Sequence, residues 1–208
     1  VYTKGMNPYF RNKEELYTEI VENLLPQLGM QPIDAVYFYG AGCAFPEKNE
    51  VLRNTIIESL GVPVVQIASD LLGAARGLCG KNAGIVCIMG TGSNSCFYDG
   101  NSVIHNVSPL GYILGDEGSG AVLGKLFLGA CFKNQLTGGI REKFIEEYKF
   151  TVAEILDKVY RQPMPNRFLA DICYFINENI GDSSVYELVY HSFREFFIRN
   201  VMQYEGYN

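Results

Sequence analysis

The stretch "MGTGSNS", residues 89–95, sets Thr91, Ser93 and Asn94 among two glycines, between apolar runs. Gly90 and Gly92 let successive backbone N–H groups turn toward one point, and the three side chains add donors. Such a nest suits phosphate oxygens or the hydroxyl groups of a polar ligand. A plain hairpin turn would use the same residues. The Walker pattern G-x-x-x-x-G-K-[ST] occurs nowhere in the chain. Asp70 follows the apolar "VVQIAS" and opens "DLLGAARGLCG". An aspartate there can cap a helix, or it can point into the crevice beyond the carboxyl ends of strands and accept a proton from a hydroxyl nucleophile. The third stretch, "GYILGDEGSGAVLG" (111–124), sets Asp116 and Glu117 between glycines just before a helical run. Acids at a helix start offset its dipole. The glycines on both sides, Gly111 and Gly115 before and Gly118 and Gly120 after, point further, to one acid facing a ligand while the other caps.

These residues need elements to hold them. Leu16, Ile20 and Leu24 recur at helical spacing in 13–25. "DAVYFYGAG" reads as a strand running into a tight loop, 47–60 as a helix, 62–67 as a short buried strand, and 70–80 as a helix ending near Gly80. Alternating strands and helices imply a mostly parallel, covered sheet. The pattern then changes. "GIVCIMG", "SNSCFYDG" and "NSVIHN" are strand-like and separated by the turns Gly90–Gly92 and Asp99-Gly100, an antiparallel meander. The expected domains are therefore 1–81 and 82–208. From 119 the chain is helical: a helix over 119–134, a capping box at Thr151–Glu154, a break at "QPMPN", then helices near 167–179 and 184–203. The Tyr and Phe residues of 186–197 are expected in the core. His105 and His191 show no acid or nucleophile partner and read as structural. Asn7, before Pro8, reads as a turn residue.

With 48% hydrophobic and 19% charged residues over 208 positions, the chain can bury a sizeable core. A net charge of −6 without any basic cluster argues against nucleic acid. No apolar run reaches the roughly 20 residues of a membrane span. The six cysteines form no C-x-x-C pair, and two histidines cannot build a metal site by spacing, so a reducing cytoplasm is the expected setting and no protein-held metal is assigned.

"GTGSNS" followed about twenty residues later by "LGYILGDEGSGAVLGK" closely resembles the BadF/BadG/BcrA/BcrD-type ATPase family, and within it the N-acetylglucosamine kinase-like branch. The resemblance runs from "TKGMNPYF" through "SDLLGAARGLCG" into the helical second half. It implies an α/β fold of two ribonuclease H-like lobes closing on a cleft, as in sugar kinases, actin and heat-shock ATPases, incomplete at both ends here. By resemblance, 90–92 is the second phosphate-binding hairpin, with Gly90, Thr91 and Gly92 near ATP and Gly111 beside its phosphates. Ser93 and Asn94 face the sugar, Asn7 and Asp116 hold sugar hydroxyls, and Asp70, also at the sugar, is the catalytic base. ATP and Mg²⁺ are the implied cofactors and a small sugar the partner; any self-association is expected as a homodimer.

The family's Asp-x-Gly-x-Thr hairpin and its glycine-rich adenosine motif have no counterpart in these residues, so the full protein is expected to be longer or a degenerate relative. ATP-dependent phosphorylation of an amino sugar is the leading expectation. An ATP-driven activator of a radical dehydratase or reductase would need cysteines placed to share an iron–sulfur cluster. A sugar-sensing domain without catalysis is the third reading.

Overall fold

The computed structural model describes residues 1–29, 32–43, 46–204 and 206. The fold is mixed α/β, in two compact units: Val1–Ala83 with Asp99–Val103, and Gly84–Tyr98 with Ile104–Asn208. No helix among the described residues is long and apolar enough to cross a membrane.

In the first unit, α1 (Lys13–Thr18) opens with a capping box between Asn12 and Glu15. It widens into a π-helical stretch, Glu19–Leu24, and closes as α2 (Leu25–Leu28). The sequence suggested one regular helix over 13–25. The widening lies just before Pro26, which has no N–H to donate and whose ring would meet the carbonyl four residues back. Strand β1 (Ala35–Gly40), helix α3 (Pro46–Leu60) and strand β2 (Val64–Ser69) form a parallel crossover, with Ala35 opposite Val64 and Gly40 opposite Ser69. This register stacks Val36 on Val65 and Phe38 on Ile67 along one face. That face packs with Leu16, Ile20, Leu52 and Ile56 of α1, its π-helical continuation and α3. The opposite face carries Tyr39, against which α4 (Asp70–Cys79) lies: Gly73 admits the ring, and Arg76 Nη1 donates to Tyr39 Oη at 2.8 Å.

The second unit holds β3 (Gly84–Met89), β4 (Ser93–Tyr98) and all of β5 (Val103–His105) except Val103, in spatial order β3-β4-β5. Met89 pairs with Ser93 across the Gly90–Gly92 turn. Asp99 closes the next turn, its Oδ1 accepting from the N–H groups of Asn101 (2.8 Å) and Ser102 (2.7 Å). A single helical turn, α5 (Gly111–Leu114), precedes α6 (Gly120–Phe132), and α7 (Ile140–Tyr148), α8 (Val152–Tyr160), α9 (Pro165–Asp171), α10 (Cys173–Glu178) and α11 (Ser183–Arg199) follow. Helix α6 is apolar on most sides because α7, α9, α10 and α11 all pack on it. Phe144 centres the core, its ring edge-on to Phe127 and Phe175 at 5.3 and 5.2 Å. Burying each such ring contributes roughly 1.5–3 kcal/mol.

The helix expected near 167–179 is in fact two, α9 and α10, meeting at Ile172. The aromatic residues of α11 depart further from expectation. Only Phe196 is buried, while Tyr186, Tyr190, Phe193 and Phe197 form an exposed stripe at helical spacing. The core-facing stripe instead uses Val185, Ser192 and Phe196. His191 does have an acid neighbour, exposed Glu187 one turn back at 3.4 Å.

Candidate active site

In the first unit, the parallel register ends β1 and β2 at the same edge, where open α/β sheets hold ligands. Two segments meet there. After β1 the chain turns tightly, Cys43 N–H bonding the Gly40 carbonyl at 3.2 Å. Gly42 (φ +81°) sits so close to the Asn7 side chain that any side chain at 42 would overlap it. Asn7 Oδ1 accepts from Tyr9 N–H at 2.9 Å, the expected turn, and the same bond holds its amide against the Gly40–Cys43 loop. After β2, Ser69 caps α4 by accepting from Leu72 N–H at 3.2 Å. Asp70 is therefore not the N-cap. It stands at the first helical position, half-buried, with one oxygen bonded to Leu71 N–H at 2.9 Å. Its other oxygen has no partner among the described residues, leaving a lone pair to accept a proton. Asp70 also lies near enough to Cys43 to matter: burial first, then the Asp70 charge, pushes that thiol above its ordinary range.

In the second unit, the β3–β4 turn is fastened to the start of α6. The carbonyls of Gly90 and Thr91 accept from Gly120 N–H (2.8 Å) and Ala121 N–H (3.1 Å), and Ser119 Oγ caps Val122 N–H at 3.3 Å. The start of α6 is thus satisfied internally, and neither Asp116 nor Glu117 is the cap. In a trans peptide the C=O and N–H point in opposite directions. With both carbonyls turned to α6, the N–H groups of Thr91 and Gly92 turn away from it together, as an oxyanion nest requires. Thr91 is exposed and its hydroxyl has no partner among the described residues.

Asp116 adopts a left-handed backbone (φ +52°), which aspartate tolerates better than most residues. Its N–H bonds Pro109 O at 2.9 Å and its carbonyl takes Ser119 N–H at 3.0 Å. This pins the side chain against the hairpin: a Cβ on Gly92 would stand 2.9 Å from Asp116 Oδ2. Burial holds the Asp116 carboxyl above the usual range; the Ser93 N–H opposes this, the Glu117 charge adds to it and Lys125 offsets part. Ser93 is buried, its hydroxyl donating to Glu117 O at 2.8 Å, so it ties hairpin to acidic loop. Glu117 turns to the end of α11 instead, with Asn200 Nδ2 at 3.3 Å and Arg199 Nη1 at 3.6 Å. One acid of the pair faces the hairpin and the other is structural.

Asn94 Oδ1 accepts from Ser95 N–H at 2.9 Å and from Asn106 Nδ2 at 2.8 Å. Beneath, Ser95 Oγ shares a buried hydrogen bond of 2.7 Å with Tyr204 Oη, which also accepts from Val107 N–H at 3.1 Å. The structure thus gathers Gly92, Ser93, Asn94 and Asp116 around one hairpin. Gly90 and Thr91 wall a neighbouring cavity of about 570 Å³, lined also by Gly118, Asp171, Tyr174, Asn177 and Phe193. Gly111 is exposed and lines no part of that cavity. Asn7 and Asp70 belong to the other unit.

Most of the glycines in 111–124 serve the protein's own packing rather than leaving room for a ligand. A side chain would drive Gly115 into Pro109 O, Gly118 into Met89 and Phe193, and Gly124 into the Leu169 carbonyl of α9; only Gly111 has open space. Sequence reasoning missed Asn106. Counting back across the Asp99–Ser102 turn sets 106 opposite 95, which would have found it. Among the described residues no group of three or more His, Cys, Asp or Glu side chains is placed to hold a metal ion.

A crystal structure from Porphyromonas gingivalis, solved under the name "Putative N-acetylglucosamine Kinase", is 49% identical; the match covers 97% of this chain and 72% of that one, with a TM-score of 0.93. The chain belongs to this sugar-kinase-like family. A crystal structure of the same name from Chromobacterium violaceum is 16% identical over 90% of this chain and 68% of its own, with a TM-score of 0.68, a likeness of fold alone. No protein-family model matches the chain, and no curated protein does.

Proposed function

We propose that this protein transfers the γ-phosphoryl group of ATP to a hydroxyl of an amino sugar such as N-acetylglucosamine, on two ribonuclease H-like lobes of the BadF/BadG type. One observation carries the reading. The Asp116 carboxylate is pressed against Gly92 of the same turn whose Gly90 and Thr91 carbonyls bond the start of α6, an arrangement that turns the Thr91 and Gly92 N–H groups away from that helix. A hydroxyl-binding acid and a phosphate-binding turn thus share one hairpin. The name of the Porphyromonas relative supports the substrate class.

In this mechanism Asp116 and Asn94 hold sugar hydroxyls, Asn7 is a further sugar ligand, and Ser93 keeps acid and hairpin in register. The Thr91 turn takes phosphate oxygens, and the adjoining cavity, with Tyr174 and Phe193 as apolar walls, receives the rest of the nucleotide. Asp70 accepts the proton as the sugar oxygen bonds to the γ-phosphorus and the bond to ADP breaks. The few carboxylates present suit Mg²⁺ held chiefly by nucleotide phosphates and water; when bound it neutralises charge on the transferring group.

A screen of the full-length protein for ADP release with amino sugars and plain hexoses tests this. Turnover is expected to require an amino sugar, with a phosphorylated sugar seen by mass spectrometry. ATP hydrolysis indifferent to every sugar would refute it.

A further inference from the structure

We infer that Asn106 is a positioning residue that fixes the side-chain amide of Asn94 with its NH₂ group toward the ligand, so that the atom bound there must be a hydrogen-bond acceptor. An asparagine amide can face either way unless its partners decide. Here backbone groups decide for both residues. The Ser95 N–H, which can only donate, lies 2.9 Å from Asn94 Oδ1. The Ser95 carbonyl, which can only accept, takes Asn106 Nδ2 at 2.6 Å. With Asn106 so fixed, its two hydrogens serve three acceptors, the Ser95 carbonyl, Asn94 Oδ1 at 2.8 Å and the Val107 carbonyl at 3.1 Å. Turning Asn94 over would set its NH₂ against two donors. Turning Asn106 over would set its oxygen against the carbonyl of Ser95 and Asn94 Oδ1. The pair is locked through the backbone of one residue, Ser95, whose hydroxyl Tyr204 holds from below.

Asn94 therefore offers donors only, complementing Asp116, which when ionised offers acceptors only. A sugar hydroxyl oxygen or the carbonyl of an N-acyl group satisfies the first; a hydroxyl hydrogen satisfies the second. This assignment rests on the sugar-kinase reading for the ligand, but not for the amide geometry.

Two measurements separate the two. In ¹⁵N-labelled full-length protein without ligand, the Asn106 NH₂ hydrogens are expected to exchange with water more slowly than those of Asn94. Fast exchange at Asn106 overturns the locked pair, whatever the ligand. In the enzyme assay, Asn106→Asp places an acceptor against Asn94 Oδ1 and should turn that amide over. Loss of one such hydrogen bond should raise the sugar KM about tenfold, with kcat and the ATP KM unchanged. Asn106→Leu, which leaves Ser95 N–H in place, should have a smaller effect and serves if the charged variant folds poorly. Unchanged sugar KM in both variants of an active enzyme overturns the inference. Slow Asn106 exchange in a protein inactive on every sugar would instead support the pair and sink the kinase reading.

Discussion

At the carboxyl edge of β1 and β2, Asp70 accepts one hydrogen bond, from the neighbouring Leu71 N–H, and Ser69 has taken over the capping. Beside the β3–β4 turn, Asp116 is set in a left-handed backbone, bonded at both its N–H and its carbonyl, and pressed on Gly92. The first acid keeps an oxygen free for a proton; the second is held in one position before any ligand arrives. The contrast supports the proposal that the first acid serves the chemistry and the second the binding. A proton acceptor needs an open lone pair, whereas a binding group gains from being fixed before the ligand arrives.

The strongest way to break the contrast is Asp70→Asn. Asparagine keeps the shape and the Leu71 contact but accepts no proton, so kcat should fall by about 10²–10⁴ while the sugar KM stays close to wild type. Because Ser69 holds the cap, thermal melts should barely move. A turnover near wild type would remove Asp70 as the base.

A second test addresses the packing of α6, the helix that follows Asp116, against α9. Gly124 and Gly129 lie on the same helix, but a methyl at 124 overlaps the Leu169 carbonyl while one at 129 meets open space. Gly124→Ala should cost about 1–3 kcal/mol, each lowering Tm by about 2–4 °C. Gly129→Ala should be neutral or stabilising by up to about 1 kcal/mol. Equal melts would mean α6 and α9 do not pack as closely as described.

The parallel crossover, the meander and the capping box at Thr151 were legible because each rests on local periodicity or turn chemistry, and so does Gly80 closing α4. Other features were not. The glycines of 111–124 look alike in sequence whether they admit a ligand or a neighbouring helix; only the partner, Leu169 some 45 residues on, distinguishes them. The stripe at Tyr186, Tyr190, Phe193 and Phe197 has helical spacing as good as the buried one, so periodicity could not choose the face. Ser69 and Ser119 took the caps from adjacent acids because serine and aspartate cap about equally well.

The smallest effect concerns pH. Burial raises the folded-state pKa of Asp116 above its ordinary value of 3.8, so its ionisation costs stability. That cost is absent below the ordinary value and grows as pH rises through the raised one. Asp116→Asn should accordingly melt slightly higher than wild type at neutral pH, by less than Gly124→Ala lowers it, and lose the advantage in acid. Melts that stay parallel from pH 3 to 7 would contradict a carboxylate held against its own ionisation.

Sugar binding without nucleotide, measured by titration calorimetry on the full-length protein and its two aspartate variants, tests the division of labour most directly. The account predicts that Asp70→Asn binds N-acetylglucosamine about as tightly as wild type, while Asp116→Asn binds at least about tenfold more weakly, as loss of a charged hydrogen-bond acceptor implies. Wild-type affinity in Asp116→Asn would contradict it.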